Sequence, residues 1–426
     1  MISIAPISRA LIPVDDDAAA RISAPNYDEF QSDGEIWEHI RAAPESILRV
    51  TMAHCDAPAL DAIGVGDSPE ALRRAAANMG RVRASARTRE LRDLLYVYQI
   101  DGPARPGVRQ IGLGGLARTA QIRTDRAPNA PIIRNEGIRE PKARGRAALI
   151  EATDAIVGVV NHAVPDDDGT FAGLLEGVAG ARAADLTCRA EDGFVHSVWL
   201  VEEREVQERL TRALARQPEA YVADGNHRSA AAAMLGREHF LAVFFPMERM
   251  SIRPYNRLLD GIDPGALDED VLGRSFAVAA LDAPGGYQPG EGAASGDGEA
   301  PPGGSMHMGL YDREAGWRRL TPRPGTYDPA DAARAVAHAV AQRLLFAGVL
   351  GVEDERDERI RYVGANRDAS WLAGEVDAAR AQAALTLPPV TMEEFVAVCR
   401  QGAMMPPKST WFSPKIRSGL VMALLD

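Results

Sequence analysis

The segment from residue 220 to residue 245 constrains the fold more than any other part of the chain. AYVAD is short, apolar and partly β-branched, which is typical of a buried strand, and SAAAAML is typical of a helix. FLAVFF then predicts a second buried strand. A strand, a helix and a strand in this order need a sheet that helices cover. The segment therefore predicts a mixed α/β fold.

Between the first strand and the helix stands a turn of five residues: Asp224, Gly225, Asn226, His227 and Arg228. The first N–H groups of a helix have no partner within the helix, and they attract phosphate or carboxylate groups. Gly225 permits a close backbone approach, and Arg228 offers a planar fork that matches two phosphate oxygens. The turn therefore predicts an anion site. The alternative is structural, with Asp224 or Asn226 capping the helix and Arg228 paired with a surface carboxylate.

At 426 residues the chain exceeds the size at which one core keeps growing, so we expect several subdomains. The predicted parts are an N-terminal α/β subdomain (1–130), a core subdomain with the DGNHR turn (131–282), a flexible loop (283–305) and a C-terminal α+β subdomain (306–426), whose tail returns to the site. The loop is predicted from its glycine- and proline-rich composition. Overall, the pattern predicts mixed sheets with flanking helices.

Hydrophobic patterns predict the elements around the turn. SILRVTM and LLYVYQI predict strands, and RQIGLGGLAR predicts the hairpin partner of the second strand. GLGG lacks the third spaced glycine and the following helix of a dinucleotide-binding loop, so we interpret it as a glycine-containing strand. Residues 328–349 predict a helix that Asp328 caps.

A charged segment, NEGIREPKARGR, forms a second candidate for anion binding. Glu136, Arg139, Lys142 and Arg146 recur at spacings of three or four, so a helix would place much of this cluster on one face. Pro141 predicts the start of that helix. Such a face could form a wall of an anion site, or it could be a solvated charged surface.

The formal charge of −12 disfavours binding of extended nucleic acid, whereas a small anion can still bind to local arginines. No apolar run is long enough to span a bilayer, and the first residues lack a secretory signal pattern. We therefore expect a soluble, cytoplasmic protein without a membrane partner. Its oligomeric state does not follow from the sequence.

The three cysteines predict neither a disulfide framework nor a metal site. Cys55, Cys188 and Cys399 lie far apart and form no CxxC pair, so we expect reduced, structural thiols. Cys55 adjoins His54 and Asp56, but sequence neighbours rarely have the geometry of an activated thiol. No zinc spacing signature is present, and we predict no metal ligands.

Ordered motifs along almost the whole chain resemble the bacterial and archaeal family of unknown function numbered 1015. APNYD resembles its Ala-Pro-Pro-Tyr-Asp opening, ADGNHR its Ala-Asp-Gly-His-His-Arg segment, and MPPKSTWFSPKIRSGL its ending. PESILRV, NEGIREPKARGR and PYNRLL are similar to further segments of that family. Four positions depart from the pattern: Asn26, Asn135, Gly145 and Asn226 replace a proline, a histidine, an acidic residue and a histidine. A mechanism that needs two adjacent histidines, or an acidic residue at position 145, therefore does not fit this chain.

DGNHR is also similar to the Gly-x-His-Arg or Gly-Glu-Arg-Arg turn of the ParB and sulfiredoxin-like fold, which includes free-serine kinases. Members of that fold bind nucleotide phosphates at this turn, so the resemblance implies a ParB/sulfiredoxin-like core and a nucleotide site. We hypothesise a kinase-like, nucleotide-dependent phosphotransferase for a small hydroxylated metabolite, such as a serine-like amino acid. ATP or ADP and Mg²⁺ are the expected cofactors. The alternatives are a non-catalytic nucleotide-binding regulatory protein and a phosphatase or other hydrolase.

The predicted site residues fall into three groups by role. The catalytic candidates are His227, Arg228, Asp224, Glu136 and Asp28. The cofactor-binding candidates are Gly225, Asn226, Ser229, Lys408, Ser409, Thr410, Arg139 and Lys142. The substrate-binding candidates are Tyr27, Asn26, Tyr255, Asn256 and Arg257. The proton acceptor stays open between His227, Asp28 and Glu136, and Asp224 could orient His227 or hold magnesium.

Overall fold

A computed structural model describes residues 1–103, 107–281 and 306–425. The mixed α/β fold is confirmed. The chain divides into two compact units: the first comprises Met1–Arg134, Ile138–Met250 and Pro414–Asp426, and the second comprises Asn135–Gly137 and Ser251–Ser413. The predicted flexible loop, 283–305, lies outside the described residues.

The first unit has eleven described strands before residue 251: β1 (Ile4–Ala5), β2 (Ile7–Pro13), β3 (Thr88–Asp101), β4 (Gln110–Arg118), β5 (Ile132–Ile133), β6 (Ala155–Ile156), β7 (Val160–Val164), β8 (Leu186–Arg189), β9 (Val195–Val201), β10 (Ala220–Asp224) and β11 (His239–Pro246). The strands of the second unit are β12 (Ser251–Arg253), β13 (Asn256–Leu259), β14 (Phe276–Ala280), β15 (Met308–Asp312), β16 (Gly316–Pro322), β17 (Ile360–Val363), β18 (Ala383–Thr386) and β19 (Trp411–Ser413). The last strand, β20 (Met422–Leu424), belongs to the first unit.

The helices of the first unit are α1 (Asp16–Ile22), α2 (Asp33–Ala42), α3 (Leu48–Thr51), α4 (Pro69–Ala84), α5 (Glu140–Thr153), α6 (Thr170–Ala181), α7 (Arg204–Ala215) and α8 (Asn226–Met234). Those of the second unit are α9 (Glu269–Leu272), α10 (Ala332–Ala335), α11 (Ala337–Ala341), α12 (Ala369–Asp377) and α13 (Met392–Arg400), with a π-helical segment at Gln342–Ala347. Within the described residues, no helix has the length and apolar character needed to cross a membrane.

One sheet organises the first unit. Its order is β5, β10, β7, β11, β4, β3, β2, β20 and β6, with β1 paired to β4, β9 to β3, and β8 to β9. β4 comes before residue 130 and pairs with β11 from beyond it. The two units therefore do not follow the boundary predicted at residue 130, because strands from both sides of it share hydrogen bonds and a core.

The glycine-rich strand is confirmed. GLGG lies within β4, which pairs with β3 as the predicted hairpin partner. A Cβ atom added to Gly114 would lie 2.1 Å from the ring of Tyr96, which is fully buried. The glycine is therefore needed where a large aromatic ring packs on the sheet, and not for a nucleotide loop.

The predicted strand–helix–strand unit forms β10, α8 and β11, but the two strands are not neighbours. β7 lies between them, antiparallel to β10 and parallel to β11. The predicted strand SILRVTM is wrong, since residues 48–51 form helix α3. Leu48 and Val50 are buried there among apolar residues from α1 and α2, so tertiary packing outweighs the β-branched composition.

The second unit contains a six-stranded sheet with the order β14, β16, β15, β18, β13 and β17, and β12 pairs separately with β19. The helix predicted over 328–349 is broken into α10, α11 and the π-helical segment. Its first N-cap is Asp331, whose side chain accepts a hydrogen bond from the Arg334 N–H, so the predicted cap at Asp328 is wrong. Both aspartates have capping side chains, and the sequence pattern alone did not separate them.

Candidate functional site

The DGNHR turn has the predicted geometry. β10 ends at Asp224, α8 begins at Asn226, and Gly225 between them has a φ of +102°. A Cβ atom on Gly225 would lie 2.9 Å from Nε of Arg228. Glycine is therefore needed at position 225 for two reasons: the backbone has a positive φ, and the Arg228 side chain approaches too closely for a Cβ atom. The buried Ser229 hydroxyl donates to the Asn226 carbonyl, so this side chain turns into its own helix.

Asp224 lies at the centre of a largely buried network of charges. Its Oδ1 is 3.0 Å from a guanidinium nitrogen of Arg228, and its Oδ2 accepts from Lys415 at 3.1 Å and from the Asn26 amide at 3.2 Å. The same ammonium donates to Oδ2 of Asp28 at 3.1 Å. Two carboxylates thus face two cations, which offsets the cost of burying them.

Lys415 is the member of this network that the site prediction missed. Its side chain is 6% exposed, and it comes from the segment that follows β19, far along the chain from the turn. Its proline-framed position in SPKIR was the available signal. Sequence alone gives no means of pairing it with Asp28 and Asp224.

This network bears on the expected magnesium. Both Asp224 oxygens are engaged by cations or an amide, and Lys415 already stands between Asp224 and Asp28. An ammonium group there repels a second cation. These two carboxylates therefore do not fit a magnesium site in this arrangement.

Glu29 is a second acidic residue that the site prediction missed. It ends the short 3₁₀ turn Tyr27–Glu29, and its Oε1 accepts the Asn26 backbone N–H at 2.6 Å in a capping box. Burial and the neighbouring charge of Asp28 raise the pKa of Glu29 to about 7, against the lowering effects of that hydrogen bond and of Lys415. With this pKa, the Glu29 carboxyl group gains or loses its proton near neutral pH.

A cavity of about 310 Å³ lies between α5 and the segment that runs from residue 51 to the start of α4. Lys142 and Arg146 line it from successive turns of α5, and His227 lines it from the first turn of α8. The Arg146 guanidinium stands 4.5 Å from the centre of the Tyr27 ring, which lines the cavity too. The helical start predicted near Pro141 is confirmed, and this face of α5 is not merely solvated.

His227 is oriented by the residue before α5. Its Nε2 accepts the backbone N–H of Arg139 at 3.0 Å. A nitrogen that accepts cannot carry a proton, so the neutral ring has its hydrogen on Nδ1. Nε2 could accept a proton from a substrate only after this contact breaks.

Asp67 supplies a carboxylate to the same cavity. Its Oδ2 lies 3.7 Å from the position that a Cβ atom on Gly145 would take. The family pattern has an acidic residue at position 145, where this chain has glycine. A carboxylate from another part of the chain therefore reaches the same corner, and sequence reasoning missed it because Asp67 precedes α4 in a loop.

Arg228 lines a second, smaller cavity of about 50 Å³. Gly158 is needed there, since a Cβ atom on it would lie 2.7 Å from Cδ of Arg228. Tyr27 and Arg146 line both cavities, and Asn26 lines the smaller one. The two side chains of the turn thus face adjoining cavities.

The remaining predicted residues belong to the second unit. The Lys408 ammonium donates to the Tyr255 hydroxyl at 3.0 Å, and Lys408 itself has a φ of +57°. Arg257 is buried, and it donates to the carbonyls of Tyr255, Asn256 and Lys408. Burial lowers the pKa of Arg257 to about 10. Its contacts hold loop carbonyls in place, and substrate contact by Tyr255, Asn256 and Arg257 stays a prediction.

Further contacts within this unit hold residues 405–410, the loop that precedes β19. Asn135 donates from its side chain to the Thr410 hydroxyl at 3.3 Å, and Glu136 pairs through its backbone with Met405. The Ser409 hydroxyl donates to the Pro406 carbonyl at 2.7 Å. The roles predicted for Glu136, Lys408, Ser409 and Thr410 at the nucleotide stay predictions.

The comparisons with known proteins bear on the resemblance that the motifs gave. The model of DUF1015, described as a protein of unknown function, matches residues 4–344. The chain belongs to the DUF1015 family. The recognition from APNYD, ADGNHR and the other segments is therefore confirmed. No curated protein matches this DUF1015 chain.

Solved structures similar to this DUF1015 chain include a free serine kinase in complex with AMP, which is 11% identical, with a TM-score of 0.36 over 66% of this chain and 83% of that one. A conserved hypothetical protein from Pyrococcus furiosus is 11% identical, with a TM-score of 0.36 over 67% and 89%. SbnI with a C-terminal truncation, from Staphylococcus aureus, is 12% identical, with a TM-score of 0.36 over 71% and 84%. At these TM-scores the ParB/sulfiredoxin-like core stays a prediction.

Proposed function

We propose that the first unit is a nucleotide-dependent phosphotransferase acting on a small hydroxylated metabolite. One observation carries the proposal: Lys142, Arg146 and His227 line a single cavity of about 310 Å³ beside the start of α8. The volume lies within the range of small-molecule sites. Three basic side chains and a helix N-terminus together favour an anionic ligand.

Phosphoryl transfer depends mostly on positioning and on neutralising charge, and α5 presents groups for both. Lys142 offers a point charge, and Arg146 offers a fork that binds two phosphate oxygens. The Tyr27 ring against Arg146 limits the orientations of the guanidinium. A bound ATP or ADP would supply the phosphoryl group. Gly225, Asn226 and Arg228 remain proposed phosphate contacts at the adjoining turn.

Asp67 is the proposed proton acceptor. Among the described residues that line the larger cavity it is the carboxylate, whereas Nε2 of His227 is occupied by the Arg139 N–H. Asp28 is bound to Lys415. The substrate hydroxyl would therefore give its proton to Asp67 while Lys142 and Arg146 hold the phosphates. A serine-like amino acid is the proposed substrate, with Asn26 and Tyr27 as its contacts.

A second candidate is a non-catalytic nucleotide-binding regulator. It is favoured by the internal partners of the turn, because Arg228 is paired with Asp224 and His227 with the Arg139 N–H. In this arrangement the internal partners hold both side chains in place, and neither side chain has a free atom directed at a substrate proton. The cavity would then bind a nucleotide without consuming it.

The test uses the purified full chain with MgCl₂, either ATP or ADP, and a mixture of serine and other hydroxylated amino acids. Phosphorus NMR measures nucleotide consumption and new phosphate esters, and calorimetry measures nucleotide binding. A phosphate ester that requires nucleotide supports the phosphotransferase. Binding without turnover supports the regulator, and phosphate release from phosphoserine without nucleotide supports the hydrolase. A chain that neither binds nor consumes either nucleotide contradicts the first two candidates.

A further inference from the structure

Three side chains with different donor atoms meet beside the larger cavity. Asp33 is the first residue of α2, and His54 and Cys55 end the short 3₁₀ turn Ala53–Cys55. One ligand atom from each lies within 4.8 Å of the other two. The Asp33 Oδ2 and His54 Nε2 atoms are 3.4 Å apart. Among the described residues, this is the group of such side chains that could close around one ion.

These separations suit a tetrahedral metal. Bonds of about 2.0–2.3 Å from zinc to oxygen, nitrogen and sulfur put neighbouring ligand atoms roughly 3.3–3.7 Å apart. The carboxylate and imidazole already have this spacing. The Cys55 sulfur has to move by about 1 Å or less to join them, which a small rotation of its side chain provides.

The backbone that carries the ligands is held from several directions. The Arg74 guanidinium donates to the Ala53 carbonyl at 3.2 Å, and the Trp37 indole donates to the Ala57 carbonyl at 3.0 Å. Cys55 is fully buried and His54 almost so, whereas the Asp33 side chain is 52% exposed. His54 and Cys55 are therefore held in place before an ion binds. The exposed Asp33 carboxylate leaves a path for an ion from solvent.

We propose that Asp33, His54 and Cys55 bind a zinc ion. One thiolate, one imidazole and one carboxylate form a donor set that zinc accepts, whereas magnesium and calcium need oxygen ligands. His54 also lines the larger cavity, so the fourth position has room for water or for an oxygen of a bound molecule. Binding requires the thiolate, and the Cys55 proton passes to solvent when the metal enters. The site does not depend on the proposed phosphotransferase.

A purely structural role is the competing explanation. Without metal, the Asp33 carboxylate can bond to both the His54 imidazole and the Cys55 thiol. That role predicts no specific uptake of metal. A measurement of metal binding therefore distinguishes the two explanations, and no activity assay is needed.

The experiment strips the full chain with a chelator and titrates it with CoCl₂, whose d–d bands report the geometry of a zinc-type site. We expect one equivalent of cobalt, tetrahedral d–d bands, a thiolate-to-cobalt charge-transfer band, and displacement by zinc but not by magnesium. The matched control, Cys188→Ser, changes another buried thiol and should keep the full spectrum. Cys55→Ser should lose the charge-transfer band.

Asp33→Asn keeps the test decisive if Cys55→Ser fails to fold, because the Asp33 side chain is half exposed. We expect it to weaken cobalt binding at least tenfold while the circular dichroism spectrum is unchanged. The proposal is overturned if the unaltered chain shows no charge-transfer band. It is equally overturned if Asp33→Asn and Cys55→Ser bind cobalt as the unaltered chain does.

Discussion

The Lys415 ammonium lies 3.1 Å from the Asp224 carboxylate, although 191 residues separate the two in sequence. It is also 3.1 Å from the Asp28 carboxylate, so one buried cation joins the N-terminal arm, the turn before α8 and the C-terminal segment. Burying these charges is tolerable only while all of them are paired. The network therefore makes the geometry of the turn sensitive to a single side chain.

Lys415→Met should lower the free energy of unfolding by about 3–5 kcal/mol, because it removes the cation that the Asp28 and Asp224 carboxylates share in a largely buried place. Urea denaturation followed by circular dichroism measures the change. Arg204→Ala is the control, since it removes an exposed pair with Glu208 and should leave the midpoint unaltered. Equal midpoints for Lys415→Met and the unaltered chain would show that the network contributes little.

Arg146→Ala should weaken nucleotide binding at least tenfold, because a charge-assisted hydrogen bond is worth about 1.5–3 kcal/mol. Arg144→Ala is a matched control on the same helix. Arg144 is 73% exposed, pairs with Glu140 and does not line the cavity. Calorimetric titration with ADP measures both variants, and equal losses of affinity would rule out a specific role for this face of α5.

Asp67→Asn should reduce phosphotransferase turnover by about 10²–10⁴-fold, as expected when a general base is removed. The nucleotide dissociation constant should change little, because Lys142 and Arg146 still hold the phosphates. Steady-state kinetics and calorimetry on the same sample separate the two effects. Unchanged turnover would transfer the proton-accepting role to another group.

The pKa of Glu29 predicts a fall in stability as pH rises. Its folded value is about 7 against an ordinary value of 4.5, so the folded chain binds more protons than the unfolded chain between these values. The free energy of unfolding should therefore decrease from pH 4.5 to pH 7, by roughly 3 kcal/mol if no other group compensates. Glu29→Gln should remove this slope in urea denaturation. Glu38→Gln, on the exposed side of α2, should keep it.

Gly225→Ala should destabilise the first unit by about 1–3 kcal/mol, because an L-residue is strained at a φ of +102° and its Cβ would press on Arg228. Gly173→Ala is the opposite case. A Cβ atom there meets nothing within 4 Å inside helix α6, so we expect a gain of about 0.5–1 kcal/mol. Thermal unfolding of both variants checks the signs, and a shift of the same sign would contradict the assignment.

Several features followed from local pattern alone. LLYVYQI, AYVAD and FLAVFF became β3, β10 and β11 because apolar, β-branched and aromatic residues fit a buried strand. Pro141 lies at the start of α5, and Gly225 has the positive φ that only glycine adopts without strain. The strand predicted for SILRVTM was wrong because packing against α1 and α2 outweighed its local preference for a strand.

The mixed α/β class, the family and the turn that carries His227 and Arg228 could be predicted from the sequence, because each depends on residues close together in the chain. The meeting of distant groups became visible in the folded chain. It brought Lys415 to Asp28 and Asp224, Asp67 to the corner beside Gly145, and Asp33 to His54 and Cys55. Long-range pairing of this kind depends on strand order and loop path, which no local pattern encodes.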